Sequence, residues 1–379
     1  MALFLVLVVS LCISCCRVGG YVSDIIVHQV DNDFDCVDMY KQPTLQHPLL
    51  KNHKIQLNPT FTRNTVQRRS SSFINKVIGG CPIGKVPIYK KRVRHQNIIN
   101  ASSKLQTEDF HQDYEHYNSD HVSDIFATLD TTQSTTFHGA SAIIGLYNLS
   151  LQGNQFSLSS IRIESGPPTE INIIQIGVGV HPKLYGDSQL RITALWTVDS
   201  YYKTRCYNYE CQGFVQVNQN KSYTLGNVIS PSNSIGSTEK YALGVKIKQD
   251  PSTGHWWLFL DRDEIQVGYW PKELFNHLSI GASLIRFGGE TYAPPNIDNP
   301  SMGSGRLPQE GFKNSSFMGR LEIIDSKYSE ISVNPEHMKK YSDANSNCYD
   351  LLYHGYEGVV YRQAFLYGGP GGLSGQCDI

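Results

Sequence analysis

From Gln133 to the C-terminus the sequence is a succession of short apolar or alternating runs, broken by Gly, Pro, Asn and Asp. Alternation with period two marks a strand that buries one face. The runs are 137–147, 155–165, 171–180, 191–199, 213–218, 241–250, 256–269, 278–292, 316–325 and 358–367. Pro251-Ser252-Thr253-Gly254 is a hairpin turn between two of them. Only the segment near Glu336–Ser342 reads as helical. Many strands with short turns and no strand–helix alternation predict an all-β fold, an antiparallel two-sheet β-sandwich. Composition agrees: charged residues are 18%, below the usual quarter, while Tyr (22) and Gly (32) are high.

What precedes the sandwich is organised differently. Residues 1–23 carry the apolar run LFLVLVVSLCIS and then small residues, the pattern of a cleaved secretory signal. No later segment is long and apolar enough to span a membrane as a helix, so a chain that is not membrane-spanning is expected. Residues 24–95 form an N-terminal segment of different composition, 96–128 a polar linker, and 129–379 the body. Between Lys51 and Thr107 there are twelve Lys or Arg and no acid, whereas 129–379 holds 19 basic against 23 acidic residues. That asymmetry predicts electrostatic docking of the segment on the body. The dibasic Arg68-Arg69 and Lys90-Lys91-Arg92 read as processing sites, and no nucleic-acid partner is expected of an exported chain. His111, His116 and His121 interleave with acids in the linker, as in a pH-sensitive hinge.

Six cysteines remain beyond the leader, an even number that suits disulfides in an oxidising compartment. Proximity pairs Cys206 with Cys211 and Cys348 with Cys377, leaving Cys36 for Cys81. No ligand spacing for a metal and no cofactor motif is present. Sequons at Asn100, Asn148, Asn220 and Asn314 predict a glycosylated, secreted protein.

Two strands carry the candidate chemistry. In IIQIGVGV the residues Ile174, Ile176, Val178 and Val180 share the core face, and Gln175, Gly177 and Gly179 the other. In IRFGGETY the residues Arg286, Gly288, Glu290 and Tyr292 share one face. Glycines beside Gln175 and Glu290 suggest a strip shaped for an extended peptide, with Gly177, Gly288, Tyr292 and Trp196 lining the cleft. The sequence lacks GxSxG, HExxH and P-loop motifs, and His138, His181, His255, His277, His337 and His354 stand singly.

The chain resembles the plant neprosin family of secreted peptidases. The motifs that carry the resemblance run in order from DCVDMYKQPTLQHPLLKNHKIQLNPT and GCPIGKVPI to HGASAIIGLYNLSLQGNQFSLSSIRI, the Gln175 stretch, FGGETY, NPSMGSG and FLYGGPGG. The resemblance implies a zymogen whose propeptide is removed, and a glutamic-type endopeptidase that cleaves proline-containing peptides after proline at acid pH. The family's two glutamates map onto Glu290 and Gln175, so one carboxylate is an amide here. A Gln–Glu pair can still work, with Glu290 activating water and the Gln175 amide stabilising an oxyanion. The alternative is an inactive secreted β-sandwich that binds extended peptides or cell-wall glycans.

Overall fold

The computed structural model describes residues 22–23, 33–61, 80–90, 124–261 and 265–377. The leader run, Arg68-Arg69, Lys91-Arg92, the linker histidines and Asn100 lie outside the described residues. The strands in chain order are β1 (Val22–Ser23), β2 (Phe34–Asp38), β3 (Lys85–Tyr89), β4 (Ile125–Thr131), β5 (Gly139–Gly145), β6 (Phe156–Ser165), β7 (Asn172–Val180), β8 (Arg191–Thr197), β9 (Cys206–Tyr207) and β10 (Val215–Gln216). They continue as β11 (Lys240–Gln249), β12 (Trp256–Leu260), β13 (Ile265–Trp270), β14 (Leu284–Tyr292), β15 (Ser316–Ile324), β16 (Glu330–Ser332), β17 (Met338–Ser342), β18 (Asp350–Tyr356) and β19 (Gln363–Gly368).

Two sheets form the sandwich. One has the order β17-β4-β14-β6-β7-β8-β9. The other has the order β10-β13-β12-β11-β5-β15-β19-β18, with β16 on β15 and β1 alongside β11. Every pairing within the first sheet is antiparallel. The alternation read from the sequence has its expected effect. Ile161, Ile174, Ile176, Ile285 and Phe287 from one sheet enclose a common core with Ile144, Val245, Leu258 and Phe365 from the other. Truncating one such aliphatic side chain to alanine costs about 2–5 kcal/mol.

Local patterning misplaces several elements, among them the expected strand 358–367, which opens with a helical turn at Gly358–Tyr361 before β19 begins. The stretch expected as helix at Glu336–Ser342 is a single 3-10 turn, Pro335–His337, followed by β17. Its MKKYS sequence carries little alternation, and its place at the sheet edge against β4, not its own propensity, makes it a strand. β4 begins at Ile125, inside the expected linker, and runs between β14 and β17. The expected run 256–269 is two strands, β12 and β13, with Asp261 turning at a φ of 55°.

Disulfides join Cys36–Cys81, Cys206–Cys211 and Cys348–Cys377. The first ties β2 to the segment just before β3, and these two strands pair only with each other. This small unit docks on the body through largely neutral bonds. Gln42 exchanges hydrogen bonds with the Gln216 backbone, and the Thr44 hydroxyl donates to the Phe214 carbonyl. Tyr269 Oη accepts from the Gln56 N–H and bonds His53, while Asp250 accepts from Gln56 and Thr60. Leu50 enters the main core. Among the described residues, Asp33 of the N-terminal unit forms an ion pair with the buried Arg191 of β8.

Candidate active site

The seven-stranded sheet has a second face, turned away from the core, and the site is built there. Register sets it out in rows. Gln175 of β7 lies opposite Arg162 of β6, which lies opposite Arg286 of β14. The next row is Gly177, Ser160 and Gly288, and the one after is Gly179, Leu158 and Glu290. Gln175 and Glu290 are thus two rows apart on strands separated by β6. Twist between neighbouring strands brings the ends of such a diagonal closer together.

The middle row makes contact possible. A Cβ on Gly177 would sit 1.9 Å from the Ser159 carbonyl oxygen, and one on Gly288 2.3 Å from that of Ala127. These positions tolerate only glycine because the neighbouring strand's backbone crowds them. With no side chains there, Gln175 turns along the sheet. Its Nε2 donates to Ser160 Oγ at 2.9 Å and to Glu290 Oε2 at 2.5 Å. The strip is not an open groove: Gln175 is 2% exposed and Glu290 1%.

The surroundings explain the electrostatics. Burial, and then the nearby Asp124 carboxylate, raise the Glu290 pKa to about 7, against the pull of Arg162, the Gln175 amide and Arg205. Asp124 immediately precedes β4 and pairs with Arg205 at 3.2 Å. Tyr201 and Tyr207 cover the face, with Leu158, Leu195 and Tyr292 in the same cluster. Tyr201 stands between two cations, with the Arg162 and Arg205 guanidinium carbons 5.9 Å and 5.3 Å from its ring centre. Burial raises the pKa of its phenol above the ordinary value. Gln175 Oε1, Glu290 Oε1, Arg162 Nη1 and the Tyr201 hydroxyl are buried without a hydrogen-bond partner among the described residues. Four orphaned polar atoms on one small face are costly for a purely structural sheet.

Gly177, Gly288 and Tyr292 lie on this face, as expected. Trp196 does not, and its expected place in the cleft is corrected. It pairs with Ile174 across β7 and β8, which puts it on the core face, where it packs on Phe275. Ser160, Arg162, Asp124, Tyr201 and Arg205 were not singled out from sequence. A signal existed for two of them: Ser160, Arg162 and Glu164 alternate with Ile161 and Ile163 in β6. The single histidines conceal one grouping, in which His53, His255 and Glu273 place donor atoms within 4.8 Å of one another.

Comparison with known proteins identifies the chain. The Neprosin family model matches residues 153–370, and the Neprosin activation peptide model matches residues 28–141. The chain belongs to the neprosin family. An activation peptide joined to a neprosin domain is the organisation of a peptidase made as a zymogen. The docked β2–β3 unit falls within the neprosin activation peptide, and Gln175 and Glu290 fall within the neprosin domain. Among solved structures, scytalido-glutamic peptidase with a transition state analog inhibitor is similar at a TM-score of 0.37 and 10% identity, over 65% of this chain and 97% of that one. SCP-B, a member of the Eqolisin family of peptidases in complex with a tripeptide, is similar at a TM-score of 0.33 and 12% identity, over 65% and 98%. Among the described residues no helix is long and apolar enough to cross a membrane.

Proposed function

We propose that this neprosin-family chain is the precursor of a secreted glutamic-type endopeptidase that hydrolyses proline-containing peptides after proline at acid pH. The observation that carries the proposal is the 2.5 Å contact between Gln175 Nε2 and Glu290 Oε2 in an enclosed site. Glu290 as carboxylate takes a proton from water as the oxygen attacks the scissile carbonyl. Both Gln175 N–H groups are engaged, one by Ser160 and one by Glu290. The substrate oxygen takes over the N–H that Glu290 holds, so the amide becomes an oxyanion donor once Glu290 is protonated. Glu290 then returns the proton to the leaving amine as the C–N bond breaks.

The pH expectation follows from the same contacts. With its pKa near 7, Glu290 is protonated at acid pH in the closed precursor and cannot act as base. Burial is the largest cause of that rise and Asp124 the next. Processing that opens the face to water returns Glu290 toward its ordinary value of 4.5 and lets it ionise in acid. The closed precursor is thereby silent in acid for an electrostatic reason. The test is hydrolysis of a proline-containing peptide at pH about 3–6 by the processed chain and by Glu290→Gln. The proposal predicts turnover that the substitution abolishes; equal rates would refute it, and no turnover by either would favour a peptide-binding sandwich.

A further inference from the structure

We propose that Arg162 is a catalytic residue of this hydrolysis: its Nη1–H and the Gln175 amide together hold the negative oxygen of the tetrahedral intermediate. The inference rests on the peptidase reading above and deepens it.

Position is the first argument. Arg162 lies directly opposite Gln175 in the β6–β7 register, on the same face. Side chains so paired are immediate neighbours, about 5 Å apart at Cβ. Orientation is the second. The Arg162 Nε is held by Glu164 Oε1 at 2.6 Å. The same oxygen lies 2.9 Å from Arg286 Nε, and Arg286 lies 3.0 Å from Asp130. Signs alternate along this row, from Asp130 through Arg286 and Glu164 to Arg162. This network fixes the guanidinium through Nε and leaves Nη1 without a partner among the described residues. The rings of Phe126 and Tyr201, 5.2 Å and 5.9 Å from the guanidinium carbon, confine it further.

The third argument is the unpartnered Nη1 itself. Arg162 is 13% exposed, and its Nη1 is fully enclosed with no acceptor among the described residues. A charged donor buried without an acceptor is destabilising in the resting protein. It is accounted for if an acceptor arrives during the reaction. The balance of donors points the same way. Where the family motif has a carboxyl group, Gln175 supplies an amide that carries no charge and is already shared between Ser160 and Glu290. When water adds to the carbonyl, the π pair moves to oxygen and the water proton moves to Glu290. Nη1–H and Nε2–H then face the new negative charge. Collapse of the intermediate breaks the C–N bond, and the amine leaves with the proton from Glu290.

The experiment uses the full chain, processed to the active form, in wild type, Glu290→Gln, Arg162→Met and Arg162→Lys, with thermal unfolding as a folding control. Wild-type turnover that Glu290→Gln abolishes establishes the underlying reading; no wild-type turnover overturns that reading and this inference together. Given turnover, Arg162→Met is expected to lower kcat by a factor on the order of 10²–10³, with KM changed little. The acid limb of kcat/KM moves to higher pH, because a cation that favours ionised Glu290 is gone. Guanidinium ion added to Arg162→Met restores part of kcat. A variant with wild-type kcat overturns the inference alone. If Arg162→Met does not fold, Arg162→Lys decides: it keeps the charge and loses the planar fork, so kcat falls at unchanged KM, and an unchanged kcat refutes the role.

Discussion

Replacing Gln175 by glutamate puts a second carboxylate where an amide nitrogen now lies 2.5 Å from Glu290 Oε2. Two unit charges at that distance, at an effective dielectric constant of about 20, repel by about 7 kcal/mol, or roughly five pKa units. Arg162 offsets part of this, yet both groups cannot ionise together near neutral pH. The pair therefore shares one proton across the acid and neutral range, as two close carboxyls do. Ser160 adapts, since its hydroxyl can donate to the introduced carboxylate instead of accepting from the amide. The singly protonated pair contains a base and an acid at once. Gln175→Glu is then expected to raise kcat on a proline-containing peptide by roughly 10²-fold and to broaden the active pH range. The assay is the pH profile of kcat and kcat/KM for both processed chains, with the pH dependence of thermal unfolding measured on the same samples. Profiles and unfolding curves that superimpose on wild type would show that the two side chains do not interact, and the reasoning would fail.

Other consequences follow from burial and close approach. Glu290, raised from 4.5 to about 7, binds its proton more tightly when folded, so its contribution to stability is complete below pH 4.5 and is lost as pH rises to about 7. That is about 3 kcal/mol, and unfolding of Glu290→Gln should lack it. His255 has the opposite sign: burial, opposed by Glu273 and Asp250 and reinforced by His53 and Lys272, lowers its pKa from 6.5 to about 4. Stability is therefore lost as pH falls from 6.5 toward 4, by about 3 kcal/mol. His255→Phe, which preserves the stacking on Tyr269, should flatten that limb of the melting-temperature profile. Gly177→Ala would drive its methyl into the Ser159 carbonyl; a loss of about 1–3 kcal/mol or more in denaturant unfolding is expected, with the Gln175–Glu290 contact broken.

The fold class was legible because strand alternation is a local property. Each run declares which residues share a face, and the faces of Gln175 and Glu290 followed from period two alone. The pairings of the three disulfides could likewise be anticipated from spacing and elimination. Where neighbours decide, local pattern failed. β17 is a strand because β4 offers it a partner. Trp196 is in the core because its register partner is Ile174 and not Gln175.

The chemistry of the site belongs wholly to the second category. Gln175 and Glu290 are 115 residues apart, and nothing in either strand encodes that they meet. Meeting requires β6 between them, its Ser160 in reach, and glycines pressed against neighbouring backbones in the row that separates them. The sequence placed an amide, Gln175, on the second strand of the expected site, where the family resemblance implies a carboxylate. Tertiary structure decided that this amide touches the remaining carboxylate, and that burial and Asp124 lift that carboxyl to neutrality. It also decided that Arg162, the register neighbour of Gln175, buries an Nη1 that has no hydrogen-bond partner among the described residues. The physical reason is that a pKa and a buried donor's lack of an acceptor are set by what surrounds a group, and for these residues the surroundings come from strands distant in sequence.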